Sequence, residues 1–211
     1  HAGTFAQWSN DPAAPMPVCN AANAQRNLVA IADADSGYYA IWSDLRNNTN
    51  KADLYGQHFD AEGSALWTPN GTQLLTLPVS SVNEVAPVVL ANGNVMLAVL
   101  SSANNTNNAD TVRAVLIDAN GNMLWTVPAL LSVDGPAVFG NCFSFSIPRG
   151  IASGDGVYFC YHGDSQGSNG YYVMQRVRAN GTATFPVPGI AVPLNAGYGP
   201  HQVEPDAAGG M

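Results

Sequence analysis

Two carboxylates suited to metal chemistry, Asp33 and Asp35, alternate along a short segment that ends at Gly37. Alternating carboxylates begin many calcium loops, and calcium takes about six to eight oxygen ligands. Residues 38–41 are Tyr, Tyr, Ala and Ile, so the acidic ligand that such loops carry further on is missing. Asp33 and Asp35 are therefore the single metal candidate, and an Asp-rich hairpin turn is the favoured interpretation. No other cofactor is expected.

An acidic and a basic residue, Asp44 and Arg46, come at the end of an apolar stretch, and Asp53 follows across a polar segment. A carboxylate beside a guanidinium forms charge-assisted hydrogen bonds, which would fix the end of a strand. The same pair would bind a partner if it faced an open groove. The structural role is the favoured interpretation, and Asp44 and Arg46 are kept as candidates for partner binding.

No arrangement of residues predicts catalysis. The four histidines, at positions 1, 58, 162 and 201, lack the spacing that brings metal ligands onto one face of a helix. The chain also lacks a Gly-x-Ser-x-Gly nucleophile turn and a phosphate-binding loop. We therefore expect no catalytic residue and no enzyme activity.

The three cysteines, Cys19, Cys142 and Cys160, do not have the spacing of a metal site. Their odd number leaves at least one thiol unpaired within the chain. A disulfide between Cys142 and Cys160 is one interpretation, and three small buried thiols are the other.

Composition narrows the classes of partner. The chain has 211 residues, 46% of them hydrophobic, and a net charge of −8. Nucleic acid is excluded as a partner, because phosphate binding needs clustered Lys and Arg that no segment supplies. No apolar run reaches the roughly 18 residues of a membrane helix, and the first residues do not resemble a leader peptide. We expect a soluble, already processed protein.

One motif recurs along the chain. The strings FDAEGSALW, IDANGNMLW and VRANGTATF begin at residues 59, 117 and 177, so the period is 58 and then 60 residues. Glycine in the middle of each string supplies the positive φ of a tight turn, and the ring at its end is expected to cover apolar area between packed sheets. The residues assigned this structural role are Gly63, Trp67, Gly121, Trp125, Gly181 and Phe185, together with Trp42.

Each period contains four apolar stretches separated by turns, which predicts four strands in an antiparallel meander. Sheets of this kind, repeated along a chain, are typical of the blades of a β-propeller, and a single blade cannot bury both of its faces. The expected fold is thus all-β, a β-propeller or part of one. The boundaries expected are residues 1–24 for a closing strand and linker, 25–82, 83–141 and 142–200 for three blades, and 201–211 for the start of another.

The first period resembles a family of propeller-like repeats in proteins secreted by Bacteroidetes. The resemblance rests on AIWSDLR at 40–46, DLYGQHFD at 53–60, Gly63 and Trp67. The second and third periods depart from it, with LSS at 100–102 and VRAVL at 112–116. The resemblance implies export through the type IX pathway and a place outside the cell or on its surface.

The expected function is recognition or scaffolding of a protein or glycan partner at the cell surface, without catalysis. Polar connections at 44–53, 102–110 and 163–170 are the expected contact regions, since loops on rigid sheets commonly carry recognition. One alternative is a subunit of an extracellular fibre, paired through strand addition at residues 3–8. The other is a propeller glycoside hydrolase or lyase, which needs two carboxylates in a cleft. The partner-binding candidates are Asp44, Arg46, Asn48, Asn105, Asn107, Ser165, Gln166 and Asn169.

Overall fold

A computed structural model describes residues 11–103, 110–133, 142–165 and 170–193. Every regular element in these ranges is a β-strand, and none of the described residues forms a helix of the length and hydropathy that crossing a membrane requires. The strands are β1 (Gln25–Ala32), β2 (Tyr38–Asp44), β3 (Asp53–Phe59), β4 (Thr72–Leu75), β5 (Ser80–Val89), β6 (Val95–Ala103), β7 (Asp110–Ile117), β8 (Ala129–Val133), β9 (Cys142–Ser153), β10 (Gly156–Ser165), β11 (Tyr171–Arg178) and β12 (Ile190–Pro193).

The strands form three four-stranded antiparallel sheets. The first sheet has the order β1-β2-β3-β4, the second β5-β6-β7-β8 and the third β9-β10-β11-β12, so each is a meander of consecutive strands. The all-β class and the four antiparallel strands in each period are therefore confirmed. Among the described strands, the first sheet contacts the second and the second contacts the third, and the sheets do not close into a ring.

The recurring motif forms the same hairpin turn in each sheet. Gly63, Gly121 and Gly181 have φ angles of 84°, 82° and 84°, in the left-handed region that favours glycine. The N–H of each glycine donates to the carbonyl three residues earlier, and an isolated bridge of one residue pair follows, as between Phe59 and Ala65. Local sequence therefore determines where the chain turns between the third and the fourth strand of each sheet.

The second sheet is buried on both faces, which follows from the alternation of side chains along a strand. In β6, Val95, Leu97 and Val99 pack against the first sheet, in a cluster with Ile41 and Leu54. The intervening side chains of β6 pack against the third sheet, where Phe159 and Val173 belong to the cluster. Because each such side chain contributes about 1.5–3 kcal/mol when fully buried, the sheets stabilise one another.

A tryptophan at the end of each of the first two motifs connects one sheet to the next. The Trp67 indole N–H donates to Ala119 O at 2.8 Å, and the Trp125 indole N–H donates to Ala179 O at 2.9 Å. Both acceptors lie in the Ala-x-Gly turn of the following sheet. Glycine at 121 lets the Trp67 ring approach, since a Cβ there would lie 3.2 Å from the ring. The repeat therefore encodes a contact between sheets as well as a turn.

The first strands of the three sheets meet side by side, β1 against β5 and β5 against β9. Each of these strands has an irregular register with its neighbour. The ladder is interrupted between Arg26 and Val29 in β1 and between Val82 and Glu84 in β5, and the pairing of β9 shifts opposite Tyr161. A β-bulge bends a strand and leaves residues outside the ladder, so these three strands present irregular backbone where they meet.

Replacing Trp125 with Phe tests the contact between the second and third sheets. The change removes the donor to Ala179 O, and we expect it to lower the free energy of unfolding by about 1–2 kcal/mol. The neighbouring Leu124 is half-exposed and serves as the control, because Leu124→Ala is expected to cost less than about 0.5 kcal/mol. Urea unfolding of both variants gives the comparison, and equal costs would contradict the role of the indole.

Candidate functional site

Asp44, at the end of β2, has a fully buried carboxylate with three hydrogen bonds. The Trp42 indole N–H donates to Oδ2 at 2.7 Å, the Arg46 backbone N–H donates to Oδ1 at 2.8 Å, and Arg46 Nη2 donates to Oδ2 at 2.6 Å. Burial raises the pKa of Asp44, but the hydrogen bonds from Arg46 and Trp42 lower it by more, so the pKa lies below its usual value. The carboxylate is therefore charged and fully engaged within the protein.

The Arg46 guanidinium lies over the Tyr55 ring, with Cζ 3.9 Å from the ring centroid. Its Nη2 also donates to Asn70 O at 2.8 Å and lies 3.3 Å from Cys19 Sγ. These contacts join the end of β2, the turn before β4 and the segment before β1. The Asp44–Arg46 pair thus has the structural role favoured by its spacing, and a role of the pair in partner binding stays a prediction.

Asp53, at the start of β3, is the centre of a second buried polar cluster. Lys51 Nζ donates to Oδ1 at 2.9 Å, Thr76 Oγ1 donates to the same oxygen at 2.7 Å, and Gln73 Nε2 donates to Oδ2 at 3.0 Å. Burial raises the pKa of Asp53, and the hydrogen bonds from Lys51 and Thr76 outweigh that effect and lower it. Both ends of the 44–53 connection are therefore fixed by carboxylates.

The partner-binding candidates differ in what the structure describes of them. Asn48 is exposed at the tip of the 44–53 connection, where its Oδ1 accepts the Asn50 N–H at 2.8 Å in a turn. Ser165 ends β10, and its side chain is outside the described part of the structure. The remaining candidates, Asn105, Asn107, Gln166 and Asn169, lie outside the described residues.

The predicted metal candidates Asp33 and Asp35 lie in the hairpin turn between β1 and β2. Asp33 Oδ1 accepts the backbone N–H groups of Asp35 and Gly37, at 2.8 and 2.7 Å, and Oδ2 lies 2.7 Å from His58 Nε2. Burial raises the Asp33 pKa, and the hydrogen bond from His58 and those from the backbone lower it by more. Among the described residues, no three His, Cys, Asp or Glu side chains are grouped to hold a metal ion. Both oxygens of Asp33 have protein donors, as a hairpin turn requires.

The structure places a buried glutamine at a position that sequence analysis did not single out. Gln57 Oε1 accepts the Trp67 backbone N–H at 2.8 Å, and its Nε2 donates to Thr68 O at 2.9 Å. Gln175 repeats the arrangement in the third sheet, with Oε1 accepting the Phe185 N–H at 3.0 Å. In both sheets the glutamine precedes the aromatic residue at the end of the motif by ten residues, and this interval is the sequence signal that could have identified it. These glutamines hold the strand after the turn, and their role is structural.

The disulfide interpretation for Cys142 and Cys160 is wrong. Cys160 is a free thiol, and burial raises its pKa to about 11. Cys160 pairs with Arg149 across the sheet, whereas Cys142 pairs with Ser165, five residues further along β10. At about 3.3 Å per residue the two backbones lie about 16 Å apart, and a disulfide needs about 7 Å or less between Cα atoms. Cys19 is also a free thiol.

Two cavities share Asn27 and Leu28 of β1, one where the first strands of the three sheets meet and the other between β1, β2 and the segment before β1, and together we call them the axial groove. One cavity has a volume of about 190 Å³ and the other about 250 Å³. Both are lined by Asn27 and Leu28, the two residues of β1 outside the ladder with β2. The first cavity is further lined by Val29, Glu84, Val85, Pro148 and Arg149, and the second by Val18, Cys19, Gln25, Arg26 and Trp42.

Hydrogen bonds from the bulged strands fix the shape of the axial groove. Asn27 has a φ of 55°, which asparagine tolerates better than most residues, and its Nδ2 donates to Asn83 O across the first and second sheets. Asn83 Nδ2 donates to Ser102 Oγ, and this hydroxyl donates to Asp110 at the start of β7. A chain of hydrogen bonds thus runs from the groove to the connection between β6 and β7.

Two cations without an ion pair in the described part of the chain border the axial groove. Arg46, Lys51 and Arg176 form ion pairs with aspartates, and Arg113 donates to Ser101. Arg26 and Arg149 have no ion pair or side-chain hydrogen bond among the described residues, and both are exposed. The groove therefore combines two available guanidinium groups, the Glu84 carboxylate and the apolar side chains of Leu28 and its neighbours.

Comparison with known proteins adds no further assignment. No protein-family model, no curated protein and no solved structure matches the chain. The class of protein is defined by its fold alone, a repeat of four-stranded antiparallel sheets that pack on one another.

Replacing Gly71 with Ala tests the packing of the residues around Trp42 and Arg46. Gly71 has a φ of +91°, and a Cβ there would lie 2.5 Å from the Trp42 ring and 2.8 Å from Gly56 O. Gly93 has a similar φ of +81° with nothing within 4 Å of an added Cβ, so Gly93→Ala is the matched control for backbone strain. We expect Gly71→Ala to lower the free energy of unfolding in urea by about 1–3 kcal/mol more than the control does, because no space remains beside the Trp42 ring. Equal costs would contradict that packing.

Acid unfolding tests the role of the buried carboxylates. The folded-state pKa values of Asp33, Asp44 and Asp53 lie below the ordinary value of 3.8. Such groups stabilise the fold above their unfolded pKa, and the stabilisation is lost as the pH falls through the folded pKa. We therefore expect the free energy of unfolding to fall below about pH 5, less steeply in Asp44→Asn. The exposed Asp35 carboxylate accepts no hydrogen bond from the described residues, so Asp35→Asn should keep the wild-type slope. An unchanged slope in Asp44→Asn would contradict this account.

Proposed function

We propose that the three sheets are successive blades of a β-propeller, and that the protein is a recognition or scaffold module for a partner at the cell surface. The observation that carries the fold proposal is the repeated contact between sheets. Each four-stranded meander packs face to face on the next, and the same tryptophan contact with the following turn occurs twice. The first strands of the three sheets lie next to one another, which supports an arrangement of blades around an axis.

Recognition is assigned to one end of the sheets, which we call the binding end. The connection at 44–53 lies at this end, because Asp44 pairs with Gln25 at the start of β1 and with Asp53 at the start of β3. The connection between β6 and β7 lies at the corresponding end of the second sheet, where Ser102 pairs with Ser81 and Asp110. Asn27 lies two residues beyond Gln25 in β1, so the axial groove approaches the same end. A groove bordered by loops of this kind is a common place for binding.

The absence of catalysis is part of the proposal and rests on how the carboxylates are used. Glycoside hydrolysis needs two carboxyl groups that face the same bond of a substrate. Asp44 and Asp53 are enclosed by protein donors, and Asp33 accepts three hydrogen bonds or ion-pair contacts in its turn. Glu84 is the one acidic side chain that lines the axial groove within the described residues. This distribution favours binding over hydrolysis.

Assembly into a fibre is the second candidate, and the outer strands favour it. In β12, Ile190 and Val192 are exposed, and Leu130 in β8 is exposed in the same way. These strands are edges of their sheets, where unpaired backbone groups and apolar side chains can accept another strand. The segment at residues 3–8, which the sequence assigned to strand exchange, lies outside the described residues. Location outside the cell, through the export that the repeat implies, belongs to both candidates.

Charge reversal at the binding end tests the recognition proposal. Asn48 and Asn92 are exposed asparagines whose Oδ1 atoms accept the backbone N–H two residues on, and they lie at opposite ends of the sheets. The fluorescently labelled chain is applied to arrays of glycans and peptides, with Asn48→Arg as the variant and Asn92→Arg as the matched control. We expect the wild type and the control to bind the same ligand class, and Asn48→Arg to bind at least about tenfold more weakly.

Three outcomes would contradict the proposal. They are binding to no member of either array, loss of binding in Asn92→Arg instead of Asn48→Arg, and cleavage of an arrayed glycan by the wild type. Circular dichroism of both variants confirms that the sheets are intact, so that loss of binding reports on the surface.

A further inference from the structure

We propose that the axial groove binds an extended peptide segment that carries carboxylate side chains, with Arg26 and Arg149 as its anchors. The inference rests on the proposed function, since it names the ligand class and the residues of one part of the binding end. It is carried by three independent features of the groove, namely its charge, its shape and its exposed backbone.

Charge is the first feature. The chain has a net charge of −8 and seven Lys and Arg residues in all. Only Arg26, Arg149 and Arg178 have no ion pair or side-chain hydrogen bond among the described residues, and two of these three line the axial groove. An anionic ligand would therefore bind guanidinium groups that have no carboxylate partner among the described residues. Carboxylates bind guanidinium through paired, charge-assisted hydrogen bonds.

Shape is the second feature. Each cavity, at about 190 and 250 Å³, is smaller than the roughly 300–1,000 Å³ of small-molecule pockets. The cavities adjoin through Asn27 and Leu28, with Arg149 lining one and Arg26 the other. An elongated ligand that crosses Leu28 can therefore contact both arginines. Leu28 is 57% exposed, an apolar side chain available to a side chain of the ligand.

Exposed backbone is the third feature, and it favours a peptide. Asn27 and Leu28 have no register partner in β2, both are exposed, and β1 is an edge strand of its sheet. An extended peptide can pair its own N–H and C=O groups with such a segment. Glu84, the acidic side chain in the lining, is outnumbered by the two arginines.

A glycan fits the groove less well. Sugar rings bury their apolar faces on exposed aromatic side chains, which combine large area with a polar edge. The one aromatic residue in the lining is Trp42, which is 2% exposed. Its indole N–H is already bonded to Asp44. Apolar contact in the groove comes instead from aliphatic side chains, which suit the aliphatic residues of a peptide.

The test uses an array of random ten-residue peptides and an array of glycans that includes uronic acids. The variants are the double substitution of Arg26→Gln and Arg149→Gln, and the matched control Arg178→Gln, which removes the third unpaired arginine outside the groove. We expect the wild type and the control to bind peptides enriched in Asp and Glu. We expect the double variant to bind these peptides at least about tenfold more weakly, because both anchors are lost.

Outcomes that overturn the inference are distinct from those that overturn the proposed function. Peptide binding without enrichment in Asp and Glu, equal binding by the double variant, or binding to uronic acid glycans alone would contradict a peptide site in the groove. If Asn48→Arg still abolishes that remaining binding, recognition at the binding end stands while the groove assignment fails. The midpoint of thermal unfolding is measured for the double variant and the wild type. An unchanged midpoint shows that the two substitutions affect ligand binding and not folding.

Discussion

Burial of both faces of a sheet by its neighbours is the constraint on which the rest of this structure depends. In β6, successive side chains enter two different clusters, one shared with the first sheet and one with the third. A sheet that is apolar on both faces is not stable with those faces in water, so the repeats must stack. Stacking in turn brings the first strands together and forms one of the two cavities of the axial groove between them.

Features encoded by neighbouring residues could be predicted from sequence, and features that depend on stacking could not. The turns at Gly63, Gly121 and Gly181 are local, because a positive φ and a short polar loop need only adjacent residues. The all-β class and four strands per period followed from them. The axial groove combines Asn27, Glu84 and Arg149, which are far apart in sequence. They come together through stacking and through bulges that no residue pattern predicts.

The polar residues that stand out in the first repeat serve mostly to hold the fold. Asp44 and Asp53 were conspicuous because charges are rare in this chain, and each proves to be buried among several donors. Buried charges are tolerated only when they are paired and hydrogen-bonded. The two carboxylates therefore serve to hold the end of the first sheet in place. Arg26 and Arg149, which no motif singled out, are the two cations of the axial groove, and neither has an ion pair among the residues that the structure describes.

Hydrogen exchange at the tryptophan side chains tests the stacking of the sheets most directly. The indole N–H groups of Trp67 and Trp125 donate to carbonyls of the next sheet, and that of Trp42 donates to Asp44 within its own sheet. We expect all three indole N–H groups to exchange slowly in NMR spectra, and those of Trp67 and Trp125 to exchange as slowly as the amides of β6. Rapid exchange at Trp67 and Trp125, with Trp42 still protected, would mean that the sheets fold but do not stack as described.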